Sequence, residues 1–131
     1  MDIFRRETRP DGTGNPDYFT GSVRTEAIVD APAPARIRAL KVTFEPGART
    51  NWHTHPLGQT LLVVSGLGLV QKEGEAIHEI RPGDTVWIAP GERHWHGARP
   101  DHHMCHIAMH ENLDGSNVDW AEPVTDAQYS G

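Results

Sequence analysis

The sequence predicts an all-β fold, a sandwich or barrel of short strands, and three observations carry that prediction. Apolar and polar residues alternate over short runs. Pro-Gly and Gly-containing turns separate those runs at intervals of about 8 to 12 residues. No helical period appears before residue 112.

Taken in order, residues 1–22 form a turn-rich arm containing Arg9-Pro10-Asp11-Gly12 and ending in Tyr18 and Phe19. Val23 to Val29 is a first strand, and Ala31-Pro32-Ala33-Pro34 is a stiff connector. From Arg36 to Phe44 the chain alternates, placing Leu40, Val42 and Phe44 on one face. Glu45-Pro46-Gly47 then has the order a type II turn requires. His53 and His55 enter on the next strand, where a separation of two points both rings to one face, roughly 6 to 7 Å apart. After the corner Pro56-Leu57-Gly58, the residues Gln59, Leu61 and Val63 share one face while Leu62 and Val64 share the other. With both faces apolar, this strand is expected to be covered on both sides. Turns at Ser65–Gly68, Lys72–Glu75 and Arg81–Asp84 separate short strands, and Thr85-Val86-Trp87-Ile88 reads as a buried one. His94 and His96 point one way and Trp95 the other. His102, Met104, His106, Ala108 and His110 alternate along a last strand. In the tail, Thr125 to Gln128 fits a capping box, with Val124 and Tyr129 as its staple. Trp120 and Tyr129 are expected to pack on the outside of the barrel or against a second subunit. Trp52, Trp87 and Trp95 are expected to serve as packing, and Cys105 to be buried and inert.

The totals restrict the function. A chain of 131 residues fits one domain spanning 1–131, with a metal-binding core over about 36–110. A net charge of −6 without a Lys/Arg cluster argues against a nucleic-acid partner. No apolar run reaches membrane-spanning length and no signal-like segment opens the chain, so a cytoplasmic protein without a membrane partner is expected. The single cysteine excludes an intrachain disulfide and thiolate-rich zinc modules.

The unusual feature is nine histidines, six of them between His94 and His110. His53 and His55 from one strand, Gln59 from the next and His94 from a distant one make a chelate in three dimensions. All four donors are neutral, so a bound divalent ion keeps its full charge and acts as a strong Lewis acid. Imidazole suits zinc, iron, copper and nickel, whereas oxygen donors favour manganese. If the last strand faces the interior, His106 lies near the ion without being a ligand. At an ordinary pKa near 6.5 it could exchange a proton near neutrality. His96 is a candidate for substrate contact or for supporting the catalytic group, and His110 has the same parity further along. Parity also assigns Phe19, Leu40, Val42, Leu61 and Val63 to an apolar pocket. His78, His102 and His103 read as surface residues.

The spacing Gly47-x5-His53-x-His55-x3-Gln59-x6-Gly66 resembles the first cupin motif, with Gln59 in place of its glutamate. Gly83, Gly91 and His94 fit the second motif, where Ala89 and Ala98 replace its proline and asparagine. The resemblance implies a cupin, a small jelly-roll β-barrel with a short N-terminal arm and a short C-terminal tail. Asp17–Gly21, Phe44–Gln59, Gly83–Ala98 and Val118–Tyr129 are similar to the small bacterial cupins of the manganese-dependent hydroxynitrile lyase group. That likeness implies Mn2+, with Fe2+, Zn2+ or Ni2+ as other ions. It also implies cleavage or formation of mandelonitrile-type cyanohydrins, with the metal as Lewis acid and His106 as general base. A homodimer or homotetramer acting on a small aldehyde or cyanohydrin is the expected assembly. Two other functions stay open at this point: a quercetinase-like dioxygenase, and a non-catalytic small-molecule-binding cupin.

Overall fold

A computed structural model describes residues 1–131. Most of the alternating runs become strands, and thirteen occur in all: β1 (Asp11–Thr13), β2 (Phe19–Thr20), β3 (Val23–Asp30), β4 (Ile37–Phe44), β5 (Arg49–Thr50), β6 (His53–Thr54), β7 (Gln59–Gly66), β8 (Gly68–Lys72), β9 (His78–Ile80), β10 (Thr85–Ile88), β11 (His94–Ala98), β12 (Met104–Glu111) and β13 (Asp119–Trp120). They form two facing sheets of jelly-roll type. One runs β1-β3-β4-β12-β7-β10; the other runs β13-β6-β11-β5-β2, with β8 beside β11 and β9 beside β8. Every pairing between strands is antiparallel.

The inner faces meet in a core built on Val23, Val42, Phe44, Val63, Ile80 and Met104. Phe44 and Met104 lose all exposure there, each contributing about 1.5–3 kcal/mol by the burial of a large apolar side chain. Two glycines set close approaches. A Cβ on Gly97 would lie 2.4 Å from the Ala48 carbonyl oxygen, so β11 can press against β5 only with glycine there. Gly58, at φ +78°, turns the chain between His55 and Gln59, and a Cβ would meet the Ile88 carbonyl at 2.7 Å.

Several expectations need correction. The arm is not wholly irregular: Asp11–Thr13 pairs with Arg24–Glu26 and adds an edge strand. His53 and His55 do not share a full strand, because β6 stops at Thr54 and His55 opens the turn before Pro56. The strand Gln59–Gly66 is covered on its inner face only; on the outer face Val64 is 42% exposed. The run Thr85–Ile88 is not buried throughout, and Trp87, expected to pack, is 63% exposed. The reason is topological: β10 is the edge of its sheet, and nothing in this chain covers the outer face there.

The tail folds back over the second sheet. Its helix α1 (Asp126–Tyr129) begins with the capping box, Thr125 accepting from the Gln128 amide while the Gln128 side chain accepts from the Thr125 amide. Tyr129 packs with Trp52, Trp95 and Val124, and its hydroxyl donates to the Ala98 carbonyl. The buried Arg49 guanidinium donates to the Val124 carbonyl and to Asp126, and sits 4.5 Å from the Tyr129 ring centroid. Tyr129 thus packs outside the barrel as expected. Trp120 does not.

Candidate metal centre

The antiparallel registers assemble the site between the two sheets. In the second sheet His53 has His94 as its cross-strand neighbour on one side and Trp120 on the other. Their ring centroids lie 4.1 Å and 4.8 Å from that of His53. In the first sheet Gln59 pairs with His110, His106 with Val42, and Ala108 with Leu40. The inward residues of both sheets enclose a cavity of about 220 Å³.

The hydrogen bonds dispose four residues for coordination. His53, His55 and His94 each donate from Nδ1 to a main-chain carbonyl, of Asn51 at 2.8 Å, Asn117 at 2.6 Å and Glu92 at 2.9 Å respectively. That fixes the neutral tautomer with the lone pair on Nε2, the atom aimed away from the backbone. The Gln59 amide nitrogen donates to His110 Nδ1 at 3.2 Å, which leaves its oxygen as the free donor. His55 Nε2, His94 Nε2 and Gln59 Oε1 are buried with no hydrogen-bond partner in the protein. Buried lone pairs without partners are costly, and a cation is the natural occupant for a set of them. The donors therefore fit a divalent metal.

His96 enters this group more closely than its sequence position suggested. The tightest three-histidine set is His53, His94 and His96, whose ligand atoms all lie within 4.8 Å of one another. His55 is outside that set and stacks on His110, yet its ring centroid lies 5.0 Å from His53 and 5.5 Å from His94, no farther than that of His96 at 5.3 Å and 5.7 Å. His96 has a further partner, since its Nδ1 shares a hydrogen bond with His106 Nε2 at 3.1 Å. One ring donates and the other accepts, so the pair holds a single bridging proton.

All these rings are neutral near pH 7. Burial is the largest cause in each case: it brings His94, His106 and His110 to about 4, and holds His53 and His96 well below the usual histidine value. His55 is lowered for the same reason. The expectation of an ordinary pKa for His106 is thus corrected by its complete burial. These shifts fix a pH dependence. A histidine near 4 when folded and 6.5 when unfolded takes up its proton more readily in the unfolded chain. Stability is therefore full above pH 6.5 and falls as the pH drops toward 4. Metal-free protein should show its thermal midpoint falling across that window, and His106→Gln should flatten the fall; an equal slope in both proteins contradicts the assignment.

The other predicted pocket residues divide. Phe19, Leu40, Val42 and His110 line the cavity with His96 and His106. Leu61 and Val63 do not. They are inward but fully buried, in the clusters containing Ile88 and Ala108 and containing Phe44 and Met104 respectively. The cavity opens over β4 and β12, and β7 reaches it only through Gln59. Arg38, Phe44, Thr50, Ala108, Asn117, Val118 and Trp120 also line it and were missed. Strand parity could have found Arg38, Phe44 and Ala108. Nothing local marks Trp120, which stacks on Tyr18 at 4.8 Å over the cavity. His78, His102 and His103 are on the surface, and the buried Cys105 only accepts a weak bond from Thr43.

Two facing antiparallel sheets with a histidine cluster between them define a cupin, and a model of the Cupin domain family matches residues 40–109. The chain belongs to that family. It is 57% identical over 129 residues to an (R)-mandelonitrile lyase of Granulicella tundricola, with 98% of both chains covered. Among solved structures it is similar to a cupin-like protein of Thermotoga maritima, with 38% identity and a TM-score of 0.85 over 98% of this chain and 95% of that one. A polyketide cyclase of Streptomyces resistomycificus shares the fold at 16% identity, with a TM-score of 0.75 over 99% and 91% of the two chains.

Proposed function

We propose that the chain is one cupin domain over 1–131, with its metal-binding core at about 36–110, acting in the cytoplasm as a hydroxynitrile lyase. It would convert mandelonitrile-type cyanohydrins to aldehyde and cyanide, and the reverse. The likeness to a mandelonitrile lyase across nearly the whole chain carries this reading. The free donors of His53, His55, Gln59 and His94 support a divalent ion in the site, with Mn2+ as the preferred cofactor. When bound, such an ion supplies Lewis acidity toward a hydroxyl or carbonyl oxygen.

The residues of the chain supply the rest. His106 takes the hydroxyl proton while the carbon–carbon bond breaks and its electron pair leaves with cyanide. His96, 3.1 Å away, orients the ring of His106 and shares the arriving charge. Burial brings His106 to about 4, so its ring is deprotonated at neutral pH and free to accept the proton. Phe19, Leu40, Val42, Phe44 and Trp120 hold the apolar part of the substrate and exclude water. His110 keeps Gln59 oriented by accepting from its amide nitrogen. The exposed Ile37, Val64 and Trp87 support a homodimer or homotetramer.

Protein loaded with manganese should release benzaldehyde and cyanide from mandelonitrile, in a ratio of one to one. Oxygen uptake with a flavonol and no cyanide release would instead support a dioxygenase.

A further inference from the structure

The cavity carries one formal charge that no protein group balances. Arg38, Leu40, Val42 and Phe44 occupy alternate positions of β4, and all four line the cavity. No aspartate or glutamate is among the lining residues. None of the ion pairs of the molecule includes Arg38, although every other arginine that is half-buried or buried, Arg9, Arg49, Arg93 and Arg99 among them, has a carboxylate partner. Asp30 faces Arg38 across the β3–β4 ladder but is exposed and makes no ion pair with it. The side chain of Arg38 also makes no hydrogen bond within the protein. Its other cross-strand neighbour is His110, a neutral ring.

A guanidinium beside an apolar wall is a strong, geometrically defined site for a planar anion, because it offers parallel N–H donors that a carboxylate matches. The donors nearest it, Gln59 and His55, meet it only through the ring of His110 and are neutral, so no carboxylate of the chain competes for that charge. We infer that Arg38 is a specificity residue and that the substrates preferred by this chain carry a carboxylate remote from the reacting carbon. The hydroxyl or carbonyl would lie toward His106 and His96, with the carboxylate at Arg38 and the apolar body of the molecule between Leu40, Val42 and Trp120. This rests on the cavity being the substrate site of the proposed lyase, yet it is tested by binding alone.

The probes are 4-(hydroxymethyl)benzoate and benzyl alcohol, titrated calorimetrically into manganese-loaded full-length protein. The wild type should bind the carboxylate probe at least about tenfold more tightly. Arg38→Met should remove that preference, and Arg38→Lys should restore part of it, with the metal content and thermal midpoint of each variant measured alongside. Equal binding of both probes by the wild type would overturn the inference. A preference that persists in Arg38→Met would also overturn it, since the carboxylate would then be held by the metal. Neither outcome depends on turnover, so absence of cyanohydrin cleavage would count against the lyase reading and leave this result to be judged separately.

Discussion

Replacing His106 with alanine should lower mandelonitrile turnover by about 10²–10⁴-fold, the range typical of losing a positioned acid–base group. The bound metal should remain. His106 is wholly buried yet lines the cavity, and its Nδ1 has no hydrogen-bond partner. A side chain kept so, at the cost of an unmatched polar atom, is poorly explained by packing alone. The bond from His106 Nε2 to His96 Nδ1 predicts a second effect. Removing His96 should cost less than removing His106, and the double variant should lose little more than His106→Ala, because the two rings act as a unit. Wild-type turnover in His106→Ala would remove this residue from the mechanism.

The second large effect concerns the donors. His94→Ala should reduce the bound metal from about one ion per chain to near none and abolish cleavage, as should prolonged treatment with a chelator. Readdition of Mn2+ should restore activity to the chelated wild type but not to the variant. The physical ground is that His94 Nε2, His55 Nε2 and Gln59 Oε1 are buried lone pairs with no protein partner. Removing one ligand leaves the others in place but breaks a small neutral set that has no anionic side chain to compensate. Metal content should be measured by elemental analysis, so that loss of the ion is distinguished from loss of fold. A metal-depleted His94→Ala protein that still cleaves mandelonitrile would contradict the assignment.

Much of this site was legible because its residues follow local rules. His53, Gln59 and His94 sit at fixed spacings from glycines that turn the chain, and Gly58 does turn it, at φ +78°. Period-two alternation put Leu40, Val42, His106 and His110 on inward faces, where the structure has them lining the cavity. Parity shows only which side of a sheet a residue faces, and not how deep the cavity extends along that side. Leu61 and Val63 were misplaced for that reason. Trp120 was invisible because its strand has two residues and pairs with His53 and Thr54, far away in sequence. Trp87 was misread because an apolar run looks the same in a central strand and in an edge strand with an open outer face. Burial depth is likewise a property of the assembled sheets, which is why the pKa of His106 near 4 could not be read from its position in the chain.

Anomalous diffraction from manganese-loaded crystals, recorded on both sides of the metal absorption edge, most directly tests whether His53, His55, Gln59 and His94 together hold the ion. It should show a single peak within bonding distance of His53, His55 and His94 Nε2 and of Gln59 Oε1, with His96 left to His106. A peak on His53, His94 and His96 with Gln59 turned away, or no peak between the sheets, would contradict it.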